Sequence, residues 1–185
     1  PPGTVFVTVV DPGVGSERKS IVAKTKSGHL FVGPDNGLYT LLGDEAGFES
    51  VRVLDEAKQR LKGSEDSYTF HGRDLYVYVG ARLASGQLPF EQLGEELKAG
   101  AQRIPYQKAQ ADKGVLKGTV PVLDPQYGNV WTNVPRAMGR ESFKDAKSLK
   151  VTVKQGTRIA FSGELPLAET FAAVPEGKPL LYFNS

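Results

Sequence analysis

The sequence predicts an α/β domain followed by a small all-β unit, and three observations lead there. A β-branched run, Thr4-Val5-Phe6-Val7-Thr8, continues to Val10 and breaks at Asp11-Pro12-Gly13, which reads as a buried strand ending in a tight turn. Strand-like runs are then mixed with a segment in which Leu75, Val79 and Leu83 recur at helical spacing. Beyond a polar stretch the texture changes to short strand-like runs separated by turns, as in a small β unit. The boundary falls near residue 110, giving an α/β domain over 1–110 and a β domain over 111–185.

Taken in order, Ser20 to Thr25 and His29 to Val32 alternate and are joined by Lys26-Ser27-Gly28, the pattern of a hairpin. Gly33 to Gly37 interrupts it, and Gly37 to Leu42 reads as a short helix stopped by Gly43. Glu49 to Leu54 is a further strand, and Lys58 to Glu65 is charged and reads as exposed. The helix carrying Leu75, Val79 and Leu83 ends at Gly86 and is preceded by Thr69-Phe70-His71-Gly72-Arg73-Asp74. Leu88 to Asp112 reads as a linker. Gly114–Leu123, Asn129–Val134, Leu149–Lys154, Thr157–Phe161 and Leu180–Phe183 are the strands of the second unit.

Composition narrows the chemistry. With 185 residues, 39% of them hydrophobic, the chain can bury a core. A net charge of +2, from 23 basic and 21 acidic residues without a long basic run, argues against nucleic acid as a partner. There is no cysteine and there are two histidines, His29 and His71, so disulfides, a cysteine nucleophile and thiolate or histidine-rich metal sites are excluded. No stretch has the roughly 18 apolar residues of a membrane span, and no signal peptide is visible, which makes a cytoplasmic location the default expectation. Pro1-Pro2-Gly3 stands directly ahead of a core strand and the chain closes on another strand-like run, so both ends read as cut from a longer protein.

Two stretches carry candidate chemistry. Asp11 lies at the carboxyl end of its strand, where open α/β sheets bind ligands, and Arg18 follows seven residues later, far enough for the glycine-rich loop to fold back and pair them. The alternative is a turn-forming Asp11 and a solvated Arg18. The loop has neither the Gly-Lys-Ser/Thr ending of a P-loop nor Gly-x-Gly-x-x-Gly. His71, in the turn before a helix, either faces a pocket or caps and packs. In the second unit, Asp124 to Asn133 gathers a carboxylate, Tyr127, Trp131 and two amides; flat rings for stacking and an asparagine able to pair a purine edge suit an adenine pocket. A β-turn with Trp131 in the core is the other reading.

Three stretches together, Val9-Val10-Asp11-Pro12-Gly13-Val14-Gly15-Ser16-Glu17-Arg18, Thr69-Phe70-His71-Gly72-Arg73-Asp74 and Tyr127-Gly128-Asn129-Val130-Trp131-Thr132-Asn133, make the chain resemble the S-adenosylmethionine hydroxide adenosyltransferases, or SAM hydrolases, relatives of the fluorinase and chlorinase. Pro34-Asp35-Asn36-Gly37-Leu38 and Asn184-Ser185 match in the same order. The resemblance implies a Rossmann-like N-terminal domain, a smaller β-barrel domain, and a homotrimer with active sites between subunits. It also implies hydrolysis of S-adenosylmethionine to adenosine and methionine, with no cofactor and no metal. The family's catalytic triad falls on Asp11, Arg18 and His71. Asp124 would receive the methionine ammonium and Ser185 its polar end, Asn129 the adenine edge, with Tyr127 and Phe171 flanking the base and Trp131 closing the pocket. In the halogenases the triad aspartate position is not an acid and a serine stands in place of Gly72, so the resemblance ranks hydrolysis above halide transfer. The family also has an earlier N-terminal segment, with a ribose-holding aspartate, and a last strand after Asn-Ser, neither of which this chain contains; a catalytically silent adenosine-binding or trimerising module is therefore the reading from a different class.

Overall fold

Strand β2 (Ser20–Thr25) organises the first part of the chain. Ile21, Val22 and Ala23 are fully buried, and because successive residues of a strand face opposite sides, so apolar a strand requires cover on both faces. Val22 packs with Val32, Leu75, Tyr76 and Val79 on one side. Ile21 and Ala23 pack with Tyr39 and Val51 on the other. At about 1.5–3 kcal/mol for each large aliphatic side chain buried, Ile21 and Val22 anchor the strand whose first residue, Ser20, belongs to the candidate site.

The computed structural model describes residues 1–184. The sheet has the order β1-β3-β2-β4, with β1 (Val5–Val7), β3 (Leu30–Pro34) and β4 (Phe48–Val53). β1 runs parallel to β3, whereas β2 is antiparallel to both neighbours, so the sheet is mixed. The 20–25/29–32 hairpin forms, closed by Gly28, whose N–H donates to the Thr25 carbonyl at 2.9 Å. Helix α1 (Thr40–Glu45) lies three residues later than the sequence pattern places it; Gly43 sits inside it, and Gly47, with φ +63°, follows its end. The 58–65 segment is not simply exposed. A short helix α2 (Glu56–Gln59), capped by Asp55 accepting from the Lys58 N–H, runs into it, and Gln59 and Arg60 are buried.

Helix α3 (Val77–Ala84) buries Val79, Gly80 and Leu83 against the sheet. Gly80 permits the close approach: a Cβ there would stand 2.5 Å from Val7 Cγ2. Its first turn is preceded by a π-helical turn over Gly72–Tyr76, in which Val77 N–H donates to the Gly72 carbonyl. In an α-helix residues five apart point about 140° away from each other, whereas the wider i→i+5 turn of a π-helix brings them closer to one side. The turn therefore aligns His71 with Tyr76, which the predicted plain helix does not.

The chain divides into two units at Pro105/Tyr106. The second contains three two-stranded hairpins: β5 (Gln110–Asp112) with β6 (Val115–Lys117), β7 (Val122–Asp124) with β8 (Asn129–Trp131), and β9 (Ser148–Gln155) with β10 (Arg158–Pro166). The predicted 114–123 strand is split between β6 and β7, with Pro121 between them, as expected of a residue without an N–H to donate. An unpredicted helix, α4 (Arg136–Phe143), follows β8. The predicted 180–183 strand reduces to one bridge, Leu181 with Leu167. Among the described residues of this unit only Gly139 and Leu165 are buried, while Val122, Leu123, Val130 and Trp131 stay exposed.

Candidate active site

Two successive turns, Val14 N–H to the Asp11 carbonyl and Ser16 N–H to the Gly13 carbonyl, fold the loop after β1 back on itself. Gly15 makes this possible with φ +78°, a conformation side chains disfavour. The loop is also held from outside: Asn36 Nδ2 donates to the Val10 carbonyl at 2.9 Å. Arg18 is thereby returned to Asp11. Its Nε donates to both carboxylate oxygens at 3.0 Å, and Nη2 donates to Oδ2 at 2.6 Å. The Arg18 and Asp11 side chains are 8% and 4% exposed, which rules out the solvated-arginine alternative.

The other Nη2 contact is His71 Nδ1, at 2.6 Å. Arginine can only donate, so Nδ1 accepts, and the proton of the neutral ring sits on Nε2. Burial is the main reason His71 is held below its ordinary pKa, aided by Arg18 and Arg60 and opposed by Glu56 and Asp11; the ring is neutral at pH 7. His71 makes no side-chain cap to the helix it precedes, and its edge meets the Tyr76 ring at 6.2 Å between centroids. Asp11, Arg18 and His71 are thus brought together in one buried cluster.

Three further side chains complete it, and none stands out in the sequence. Arg18 Nη1 donates to Ser20 Oγ at 2.9 Å; Ser20 Oγ donates to Glu56 Oε1 at 2.6 Å and contacts the Tyr76 hydroxyl at 2.9 Å. Burial pushes the Tyr76 phenol up to about 12 against the Ser20 hydrogen bond and the Arg18 charge, so it remains a neutral partner. The Arg18 guanidinium lies 5.9 Å from the Tyr76 ring centre. On Arg18 itself burial works against the charge, but the Asp11 hydrogen bond and the surrounding Tyr76, Asp11 and Glu56 outweigh it and raise its pKa. A signal for Glu56 exists in hindsight: it directly follows the helix-capping Asp55, where acids favour a first turn. Nothing local marks Ser20 or Tyr76.

The second-unit residues form a looser group. Asp124 and Asn129 are directly paired at the end of the β7/β8 hairpin, and Val122 is opposite Trp131, so Asp124, Asn129 and Trp131 share one face. Tyr127 sits in the connecting loop, 72% exposed; Phe171 stands on a separate 3₁₀ turn, 75% exposed. Trp131 is 40% exposed, which corrects the reading that buried it in a core. Asn129 Oδ1 accepts from the Tyr182 hydroxyl at 3.4 Å. Tyr127, Trp131 and Phe171 do not stack on one another among the described residues. Ser185 lies outside the described residues. No three metal-ligating side chains gather among the described residues, and no helix there is long and apolar enough to cross a membrane.

An acid, an arginine and a neutral imidazole in one buried cluster can orient a small polar molecule and take a proton from it. Comparison with known proteins narrows this. The SAM hydroxide adenosyltransferase N-terminal domain matches residues 1–94 and the corresponding C-terminal domain matches residues 118–185. The chain belongs to the SAM hydroxide adenosyltransferase family. It is 36% identical over 156 residues to an (R)-S-adenosyl-L-methionine hydrolase of Methanocaldococcus jannaschii, covering 84% of this chain and 52% of that protein. Against the hydrolase of the same name from Thermus thermophilus it is 33% identical over 191 residues, covering 100% and 66%. A fluorinase of Actinopolyspora mzabensis is 26% identical over 211 residues, covering 100% and 68%. The crystal structure of an uncharacterized conserved protein from Thermotoga maritima superposes with a TM-score of 0.82 at 34% identity, covering 98% of this chain and 66% of that one. The chain thus spans about half to two thirds of the length of these relatives.

Proposed function

We propose that the protein to which this chain belongs hydrolyses S-adenosylmethionine, giving adenosine and L-methionine. The observation that carries the proposal is the Arg18 fork, which holds the Asp11 carboxylate through three contacts and the neutral His71 through a fourth. A carboxylate offers about four lone-pair sites, and Arg18 takes three, leaving one to orient a water. Water oxygen attacks C5′ in line, the C5′–S bond breaks, and its electron pair neutralises the sulfonium to the thioether of methionine. Asp11 accepts the proton that the attacking water sheds and passes it to solvent. The sulfonium is already a good leaving group, so position and desolvation of the water are the main demands on the protein.

Asp124, Tyr127, Asn129, Trp131, Phe171 and Ser185 are proposed to bind the substrate, as the family resemblance implies; the shared face of Asp124, Asn129 and Trp131 supports the first part of that set. The resemblance also carries the remaining proposals: a Rossmann-like domain over 1–110, a β-barrel domain over 111–185, a cytoplasmic homotrimer with active sites between subunits, and no cofactor. Helices on both faces of the sheet and the parallel β1/β3 pair support the first of these.

Halide transfer is disfavoured by a local fit. A Cβ on Gly72 would lie 3.3 Å from Val9 Cγ1, tighter than ordinary packing, so this site does not leave room for a serine without moving Val9. The test is to incubate full-length protein with S-adenosylmethionine and follow adenosine and methionine by chromatography. Equal release of the two is expected, with no 5′-halo-5′-deoxyadenosine when chloride or fluoride is added. Release no greater than in a heat-killed control removes the proposal.

A further inference from the structure

Glu56 is the acid that the cluster's three expected members do not account for. It stands in the first turn of α2, takes the Ser20 hydroxyl at 2.6 Å, and places Oε1 3.5 Å from Arg18 Nη1 and Oε2 3.5 Å from His71 Nε2. Its side chain is 33% exposed, whereas Asp11, Arg18 and His71 are each below a tenth. His71 Nε2 is buried with no hydrogen-bond partner, and since Nδ1 accepts from Arg18, it is Nε2 that carries the proton and faces the Glu56 carboxylate.

We propose that Glu56 is a positioning residue of this site, holding the outer edge of Arg18 through Ser20 and steadying the Nε2–H face of His71 by its negative charge. The groups facing the imidazole are Glu56 from α2, Arg60 just beyond it, Arg18 ahead of β2, Asp11 after β1, and the Tyr76 ring and Asp74 from its own helix. Two arginines oppose a positive ring, and Glu56 is the larger of the two acidic influences that favour it. Without the Glu56 charge the ring should be harder to protonate, and the Arg18 fork should lose one of its two outer supports. The consequence for rate rests on the hydrolytic reading above; the consequence for His71 does not.

The experiment uses full-length Glu56→Gln, which keeps the shape and removes the charge. The imidazole signal that disappears in His71→Asn is assigned to His71, and its titration is followed by NMR. The midpoint is expected to fall in Glu56→Gln and to recover partly in Glu56→Asp, which restores the carboxylate one methylene short. Glu49→Gln, an exposed acid paired with Lys24 outside the cluster, is expected to leave it unchanged. In turnover, kcat should drop about tenfold with KM nearly constant, the signature of lost geometry around the reacting groups rather than lost substrate contacts. An unchanged His71 midpoint in Glu56→Gln overturns the proposal, and so does a wild-type kcat in an active enzyme. If Glu56→Gln does not fold, Glu56→Ala, which also removes the charge, decides by the same criterion. A wild-type protein that releases no adenosine sinks the hydrolytic reading and leaves the His71 titration to judge Glu56.

Discussion

Asp11→Asn separates the two things Asp11 is asked to do. In the wild type its side chain is 4% exposed and meets Arg18 through contacts of 3.0, 3.0 and 2.6 Å. The asparagine oxygen will turn toward the guanidinium, since arginine offers only donors, and this directs the amide NH₂ to where the water should be accepted. A donor then replaces the acceptor at the step that needs one. The expected loss in kcat is about 100-fold or more, equivalent to ~2.7 kcal/mol in the barrier, with KM close to wild type. Stability changes less. Breaking a buried pair by removing one charge costs about 3–5 kcal/mol when the survivor is stranded. Arg18 is not stranded, because Ser20, His71 and Glu56 remain around it, so about 1–3 kcal/mol in urea unfolding is expected. Adenosine release under saturating and limiting substrate gives kcat and KM from the same samples. A raised KM with unchanged kcat would refute the reasoning, because it would make Asp11 a binding group that takes no part in the chemical step.

Three other perturbations probe separate links. The lowered His71 pKa means the unfolded chain binds a proton more readily than the native one, so this contribution to stability is complete above the ordinary histidine value of 6.5 and is lost as pH falls from there toward the native-state pKa; in His71→Asn that part of the urea-unfolding pH profile should disappear, and a profile identical to wild type would contradict a buried neutral ring. Gly72→Ser should destabilise by about 1 kcal/mol through its crowding of Val9 and should not create halide transfer, checked by unfolding and by chromatography with added chloride. Inactive Asp11→Ala and Asn129→Ala proteins, dissociated and reassembled together, should regain part of the activity if the proposed homotrimer shares its sites; thorough exchange without recovery, or an active monomer in sedimentation, excludes that assembly.

Much of the first unit was legible because its signals are local. The 20–25 and 29–32 runs alternate cleanly about a Lys-Ser-Gly turn, and seven residues of glycine-rich loop suffice to return Arg18 to Asp11. Glu56 and Ser20 were illegible for the opposite reason: they are 36 residues apart and acquire meaning only when β2 and α2 bring them within 2.6 Å. Arg60 was hidden inside a charged run; its burial depends on the Ser67 carbonyl it donates to and on Asp74 nearby, neither visible in the run itself. Helix α4 buries only Gly139, so its sequence carries no run of core residues at helical spacing to mark it. Helix α1 runs past Gly43, which the sequence marks as a stop, because an interior glycine costs a helix only about 1 kcal/mol and Tyr39 and Leu42 are retained by packing.

A guanidinium has five N–H bonds to give, and in Arg18 four are committed to hydrogen bonds while the Glu56 carboxylate stands 3.5 Å from the nitrogen that carries the fifth. Nε and one arm of Nη2 go to Asp11, the other arm to His71, and Nη1 to Ser20 with Glu56 beyond it at 3.5 Å. A visiting anion would therefore have to compete with Glu56 for the one remaining Nη1 hydrogen. A halide, a carboxylate or a phosphate would meet the Glu56 charge there or displace a resident partner elsewhere, and a lysine, with three donors at a single point, could not keep the present partners together. Arg18 is an internal fastener of the cluster, tying Asp11, His71 and Ser20 to one planar group.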